Sequence, residues 1–527
     1  MLFLLRFRYG NGSMGEKYKE YQKIIASVYL LLILALLPIY MKDGLNMIGD
    51  AKYIFYRNAS MALLPLWLLG TVAAFLYRWR KKEMLFPGRF SATDFFAVAF
   101  AAVSGLSYLF SDYKDTAFWG YPGWYMGLMA QLALTGGYFL VSRWYESERI
   151  LAGCVWLSAF AVCLTGVLNR MGDDPFHVYE DMSWWEWNRR NLLSTIGNIN
   201  WFCSYLAVMV SFLIYCFWAG KGFWRLLTGI GAFAGFAALL LQGSSSGYAA
   251  LAVMLAVLFF GSLQDVSKFL RFLETLLLVP LFGFLMWVFR IDLILPFDVD
   301  YHYTPAWGAV LLALFVLYLP VRAIRARGGR DFLESGKVLK AAMLTGAVLL
   351  GVGVGIFIGC QRSDAAWDFF GGHGILRFDD DWGSMRGQLW RIAWEGFRDS
   401  SLTQKLYGVG PDCFACYFYE NYPMDIVVSG QWQEAVYANA HNEWLNMLNN
   451  EGILGAAAYI GFFVSAFYRF CRQYGRNQKL MVGMMAVAAY MANNFFSFGQ
   501  VVSTPLIFLV IAVCENECRK TDSGLRE

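Results

Sequence analysis

Apolar residues run along this chain in blocks of roughly 17–20, the length that crosses about 30 Å of hydrocarbon as a helix. Examples are "IIASVYLLLILALLPIYM" (24–41), "TLLLVPLFGFLMWVF" (275–289) and "KAAMLTGAVLLGVGVGIFIGC" (340–360). Hydropathy predicts spans near 23–41, 60–77, 94–111, 125–142, 150–169, 200–219, 226–242, 247–262, 275–289, 306–320, 340–360, 453–470, 480–497 and 503–515. The stretch 226–262 reads either as a hairpin or as one broken span. One apolar block alone could be a buried soluble helix, but no soluble shell could cover so many. The pattern therefore predicts an all-α polytopic membrane protein with about 12–14 transmembrane helices. No small-residue cleavage site separates the first block from the second, so 23–41 reads as a retained span.

Composition agrees with this pattern. Only 16% of the 527 residues are charged and 58% are hydrophobic, with a mean hydropathy of +0.44; a soluble domain carries roughly 25% charged residues. The 20 Trp and 30 Tyr suit membrane interfaces. A net charge of +4 says little, but its distribution orients the chain. Basic clusters fall in "RWRKK" (78–82), "SRWYESER" (142–149), "VRAIRARGGR" (321–330) and "YRFCRQYGRNQK" (468–479), and in the N-terminal Arg6, Arg8, Lys17, Lys19 and Lys23. The positive-inside rule puts these in the cytoplasm, with both termini. The chain then divides into a cytoplasmic N-terminus (1–22), N-terminal transmembrane helices (23–180), a membrane domain (181–500) and a last helix end with cytoplasmic tail (501–527). Segments 170–199 and 361–452 face outside. The second is too long for a simple connection and too apolar for disorder, so it predicts interfacial helices. His177, His302, His373 and His441 all fall on that side.

No basic stretch with interleaved aromatics lies outside the spans, so nucleic acid is not an expected partner. No Walker A loop, HExxH or GxSxG occurs. Most of the ten cysteines lie in spans, as apolar packers; Cys413 and Cys416 form a CxxC that suits a disulfide or two free thiols better than a metal. Asp379, Asp380 and Asp381 read as a solvated acidic turn before a metal site.

Three segments carry candidate chemistry. In "AHNEWLNMLNNEGILG" (440–455), His441 begins a short helix near the outer membrane face. An imidazole there is expected to titrate near neutrality and to accept a hydroxyl proton, or else to make an ordinary interfacial hydrogen bond. In "GSMRGQLWRIAWEGF" (383–397), Arg386 and Arg391 lie on an amphipathic helix. Their planar forks suit phosphate oxygens, and they suit snorkelling at headgroups equally. In "WNRRNLLSTIGNINWF" (187–202), Arg189 and Arg190 precede a Gly197-Asn198 turn at a span mouth, with Asn200 opening the span.

Taken in order, these segments resemble the O-antigen ligase and polymerase family of bacterial membrane glycosyltransferases. The family signature of His, Asn/Ser/Gln, nine residues, Gly, two residues and Gly/Thr/Ser is met by His441, Asn442, Gly452 and Gly455. Arg386 and Trp390 followed by Gly408 and Gly410, the earlier Gly197-Asn198-x-Asn200, and the Gly-rich "AFWGYPGWYMGL" (117–128) stand in the family's order. One departure is Ser245, in "QGSSSGY" (242–248), where members often carry an arginine taken to hold the lipid diphosphate. The resemblance implies a GT-C-like fold in the bacterial cytoplasmic membrane, with the active site on the outer face. It implies a polyprenyl-diphosphate-linked glycan donor, a glycan or lipid-glycan acceptor, surrounding membrane lipids, and a flippase or chain-length regulator as partner proteins. It implies metal-independent, cofactor-free inverting transfer, with His441 as general base and Arg386 and Arg391 as diphosphate clamps. Arg190, Arg189, Asn198, Asn442 and Trp390 are the further candidate substrate contacts. Ligase and polymerase readings differ only in acceptor. A transporter of a small solute such as bicarbonate and a non-catalytic family member are the competing readings; a transporter would show internal repeats and midplane charges, and neither is evident.

Overall fold

The structure, a computed structural model, describes residues 14–80, 90–180, 189–294, 304–327, 333, 336–422 and 438–523. Arg6, Arg8, Lys81, Lys82, His302 and Arg330 lie outside the described residues. In chain order the bundle consists of α1 (Lys17–Ile39), α2 (Ile48–Arg80), α3 (Ala92–Phe110), α4 (Leu128–Trp144), α5 (Arg149–Arg170), α6 (Ile199–Ala219), α7 (Gly222–Leu241), α8 (Ser245–Ser262), α9 (Val266–Phe289), α10 (Ala306–Ala326) and α11 (Lys337–Arg362). After a cap that contains α12 (Trp382–Asp399) and α13 (Glu443–Asn450) come α14 (Gly452–Gln473), α15 (Met481–Asn493) and α16 (Thr504–Ser523). Eleven of these helices are long and apolar enough to cross a membrane. The shorter α4 and α15 and the more polar α16 occupy the remaining predicted positions. The protein is an all-α polytopic membrane protein.

Local chemistry sets the helix ends. Ser91 and Asp94 form a reciprocal capping box at α3, and Asp265 caps α9 through the Lys268 amide. The stretch 226–262 is a hairpin: α7 ends at Leu241, Gly243 takes a left-handed φ of 87°, and Ser244 caps α8. α2 begins at Ile48, well before the predicted span at 60, because the buried Lys52 is fully satisfied. Its ammonium donates to the carbonyls of Leu37 (2.8 Å), Pro38 (2.9 Å) and Tyr40 (3.0 Å) at the C-terminal end of α1.

α6 is the most enclosed span, with 72% of its apolar window buried, and packs on α5, α7, α8 and α15. Association in lipid depends on close packing rather than on the hydrophobic effect. Gly166 on α5 lies against the Phe202 ring and Gly235 on α7 against Val210, so a larger residue at either would push its helix off α6. α10 and α11 are the opposite case, at 6% and 0% buried, and present Leu312, Phe315, Leu344 and Leu350 outward to lipid. At the end where α3 begins, an ionic cluster ties four helices. The buried Asp94 takes Arg143 (3.0 Å) and Arg519, and the buried Glu515 takes Arg469 (3.1 Å) and Arg519 (3.2 Å).

The opposite end carries the cap. The described part of 361–452 forms short helices there: Asp364–Phe369, Gly374–Leu376, α12, Leu402–Tyr407, Phe414–Asn421 and α13. Ile392, Ala393, Phe414, Phe418 and Ala440 make a small core of their own between these helices. β1 (Leu192–Leu193) pairs antiparallel with β2 (Gly197–Asn198) at the mouth of α6.

Candidate active site

Three separated segments converge on α13. The Gly408–Gly410 turn lies along its C-terminal end, where Val409 and Gly410 amides donate to the carbonyls of Asn449 and Asn450, each at 3.0 Å. Gly408 (φ 79°) and Gly452 (φ 68°) both need the left-handed backbone. A Cβ on Gly408 would strike the Asn450 carbonyl, and one on Gly452 would strike that of Leu406. The Gly-rich 117–128 loop joins through Asp412. Its buried carboxyl accepts from the amides of Tyr121 (2.7 Å) and Met126 (2.8 Å) and from the Trp124 indole (3.0 Å). The third segment, 494–500, follows α15. Its Asn494 carbonyl accepts from the Glu443 amide, and its Gly499 amide donates to the Glu443 carboxyl at 2.6 Å.

His441 sits among these segments with φ 45°. Asn439 Oδ1 accepts from its amide at 2.9 Å, and its ring meets the Phe498 ring edge-on at 5.3 Å. Phe498 in turn meets Trp124 at 5.2 Å, so an aromatic path runs from the imidazole to the Gly-rich loop. Burial, and then the Arg386 guanidinium, lower the His441 pKa from 6.5 to about 3. The expectation that it titrates near neutrality is thus corrected: the imidazole is neutral throughout the physiological range. Asn442 caps α13, its Oδ1 accepting from Trp444 (3.0 Å) and Leu445 (3.3 Å).

α12 brings Arg386 and Trp390 to the same site. Arg386 Nη2 donates to the Phe496 carbonyl at 3.1 Å, and Trp390 packs with Phe378, Trp382 and Phe496. The Trp390 indole nitrogen is buried. Arg391 is five residues from Arg386, which turns it about 140° around a helix of 3.6 residues per turn. It makes a bidentate pair with Asp380 (3.1 and 2.9 Å) and a 3.6 Å pair with Glu395. That pairing holds the Asp380 carboxyl below the usual carboxylate range. The structure therefore brings Arg386, Trp390 and His441 together and gives Arg391 an acidic partner.

The Gly197-Asn198-x-Asn200 segment approaches from the other side. Asn198 caps α6 by accepting from the Asn200 amide at 2.9 Å. Asn200 Oδ1 accepts from Ser244 at 3.0 Å, and its carbonyl accepts from Ser204, whose hydroxyl meets Ser497 at 3.3 Å. Ser497 adjoins Phe496, the acceptor for Arg386, so this segment is continuous with the histidine site. Ser245 is exposed beside it. Arg190 is also exposed, and Arg189 donates to the Gly172 carbonyl (3.1 Å) and lies over the Tyr179 ring. Arg170 holds the arrangement from within. Its fully buried guanidinium donates to the carbonyls of Leu241, Gln242, Arg189, Arg190 and Ile294 at 2.8–3.3 Å. Cys413 and Cys416 are free thiols, Cys416 lying near the Thr116 hydroxyl.

Within this geometry, residues 304–460, which contain α10 to α13 and both His441 and Arg386, match the family model for O-antigen ligase. The chain carries an O-antigen ligase domain. No curated protein matches it. The domain ties the chain to surface polysaccharide biosynthesis. It begins at α10, so the Arg170 scaffold and the 494–500 segment that complete the site come from outside the matched residues.

Several site residues escape sequence reasoning. Glu443 stands two places after His441, yet only the fold shows that it anchors residues 494–499. Asp412 reads as a turn residue, and Arg170 as a span end. Burial raises the Glu443 pKa from 4.5 to about 8, against the opposing effect of the Gly499 amide. Burial likewise raises Asp412 and Glu451 to about 7. A raised carboxyl pKa gives stability that is present below the unfolded pKa and is lost as pH rises through the folded value. The activity and melting temperature of wild type should fall as pH rises through about 8. Glu443→Gln, which stays neutral, should weaken that alkaline loss, and a pH series on both proteins measures it. Superimposed wild-type and variant curves would remove Glu443 from the account.

Proposed function

We propose that the O-antigen ligase domain makes this chain a membrane glycosyltransferase. It moves an oligosaccharide or polysaccharide from a polyprenyl-diphosphate lipid to a glycan acceptor at the outer face of the cytoplasmic membrane. The observation that carries this reading is a half-buried imidazole, its pKa held low, next to a guanidinium, at the head of a bundle that contacts lipid. His441 is the general base and Arg386 the clamp for the donor diphosphate. Desolvation first, and the Arg386 guanidinium second, leave His441 a weak base at a pKa of about 3. A diphosphate on Arg386 cancels that cation and adds negative charge, which raises the imidazole pKa toward the value at which base catalysis is efficient. Base strength is thereby coupled to donor binding.

In the step itself, the acceptor hydroxyl oxygen bonds to the anomeric carbon as the bond from that carbon to the diphosphate oxygen breaks. The hydroxyl proton goes to His441, the bonding pair leaves with polyprenyl diphosphate, and a single displacement inverts the anomeric centre. Side chains supply both the base and the cationic stabilisation, so the reading needs no metal or other cofactor. Trp390 offers an aromatic wall, and Asn198, Asn442, Arg189 and Arg190 line or support the approaches. Arg391 can reach a phosphate by exchanging Asp380 for it. A flippase that delivers donor and a chain-length regulator are the partner proteins this chemistry calls for, and both chain termini are cytoplasmic in this reading.

Arg386→Lys keeps the charge and loses the fork, and should lower kcat/KM by about 10²-fold. Arg391→Lys should cost less than about 10-fold, because an exposed ion pair already holds that side chain. Initial rates with a lipid-linked glycan donor measure both, and an Arg391 variant worse than the Arg386 variant would reverse the assignment. In cells, a deletion strain should accumulate lipid-linked glycan and recover long surface polymer with the wild-type gene. Unchanged surface glycan in the deletion strain would reject the function.

A further inference from the structure

A second polar site lies at the end of the bundle away from His441. A crevice of about 490 Å³ opens between the first half of α9 and the last turns of α10, lined by Leu270, Glu274, Tyr318, Arg322, Arg325 and Ala326. Its end of the bundle is fixed by α6 and α7. Their other ends, at Asn198 and Leu241, belong to the histidine site, while Gly220 and Arg225 lie beside this crevice.

The charges here do not cancel. Glu274 is the one acid in the lining, and its oxygens are taken by Arg225 and by the Tyr318 hydroxyl at 3.1 Å. Arg271 is committed to the carbonyls of Trp218 (3.1 Å) and Gly220 (2.6 Å). Arg322 and Arg325 remain exposed, and neither has an ion pair among the described residues. Tyr318, Arg322 and Arg325 follow at i, i+4 and i+7, so they form one stripe on α10. Two guanidinium forks on one helix face suit the oxygens of a phosphate.

The rest of α10 identifies the carrier of that phosphate. Above the arginines the helix exposes Leu312, Phe315, Val316 and Leu319 to lipid, and Leu270 and Ala326 make the crevice wall partly apolar. Acyl chains could lie along that surface with their headgroup on the arginines, whereas a free phosphate would gain nothing from it. Basic pockets between transmembrane helices on the cytoplasmic side favour anionic headgroups. We propose that this crevice binds the phosphate headgroup of an anionic membrane phospholipid, independently of the glycan chemistry at the other end.

The test is native mass spectrometry of the purified full chain with phosphatidylglycerol and phosphatidylcholine of identical acyl chains. Wild type should retain phosphatidylglycerol at least about 10-fold more strongly, since each basic residue near the headgroup plane contributes appreciably. Arg322→Gln with Arg325→Gln should abolish the preference, and Arg322→Lys with Arg325→Lys should keep it. Arg472→Gln with Arg476→Gln, on another exposed basic segment, should leave it intact. Equal retention of the two lipids, an equal loss in the Arg472 and Arg476 control, or a lysine pair as deficient as the glutamine pair would overturn the proposal. Displacement of phosphatidylglycerol by an equal concentration of inorganic phosphate would overturn it in favour of a soluble anion.

Discussion

Replacing His441 with alanine should lower glycan transfer by about 10²–10⁴-fold at matched amounts of folded protein, the usual loss when a positioned base is removed. The size of the effect follows from the site. His441 is half-buried beside Arg386 and is already deprotonated, so it can take the acceptor proton without first losing its own. The backbone there has φ 45°, a left-handed conformation that asparagine tolerates better than alanine. His441→Asn is therefore the cleaner companion variant: it keeps the turn into α13 and lacks the base. Both should be inactive, with the asparagine variant closer to wild type in melting temperature. Full turnover in the asparagine variant would show that the histidine serves only the fold.

Replacing Arg170 with leucine should produce the largest loss of stability of any single change considered. The guanidinium satisfies carbonyls from four places: the end of α7, the Gln242 turn, residues 189–190 and Ile294. Leucine fills part of the volume and leaves those buried acceptors without donors, each costing about 1–3 kcal/mol when unsatisfied. The costs do not simply add, and removing one partner from a buried charged arrangement typically destabilises by about 3–5 kcal/mol. The midpoint of thermal unfolding in detergent should fall well below wild type. Activity should fall with it, because Arg170 joins the Arg189–Arg190 segment to the turn that carries Ser244. A variant that melts like wild type would mean that water replaces the guanidinium there.

The bundle is legible in the sequence because each span is an apolar block whose length the bilayer dictates. Misplaced ends have specific causes. α2 starts early because Lys52, which reads as a break in hydropathy, has its ammonium hydrogen-bonded by carbonyls of α1. α15 stops at Asn493, short of the predicted 497, because the chain from Asn494 on leaves the helix for a turn whose groups serve the site. The histidine segment and the Arg386–Trp390 helix are legible through spacing within one stretch of chain. Their electrostatics are not, since the low pKa of His441 comes from burial by distant segments and from Arg386. Arg391 looks equivalent to Arg386 along the sequence, and only the helix turn and Asp380 separate them. Asp412, Phe498 and Arg170 escape because their partners lie tens to hundreds of residues away.

The central claim is that this chain transfers glycan from a lipid diphosphate, with His441 as base. The most direct test reconstitutes the purified full chain in liposomes with a polyprenyl-diphosphate-linked glycan and a glycan acceptor, and follows elongated product and released polyprenyl diphosphate together. The account predicts that the two appear in equal amounts with wild type and that neither appears with His441→Asn. Equal rates in both proteins, or product without release of polyprenyl diphosphate, would contradict it.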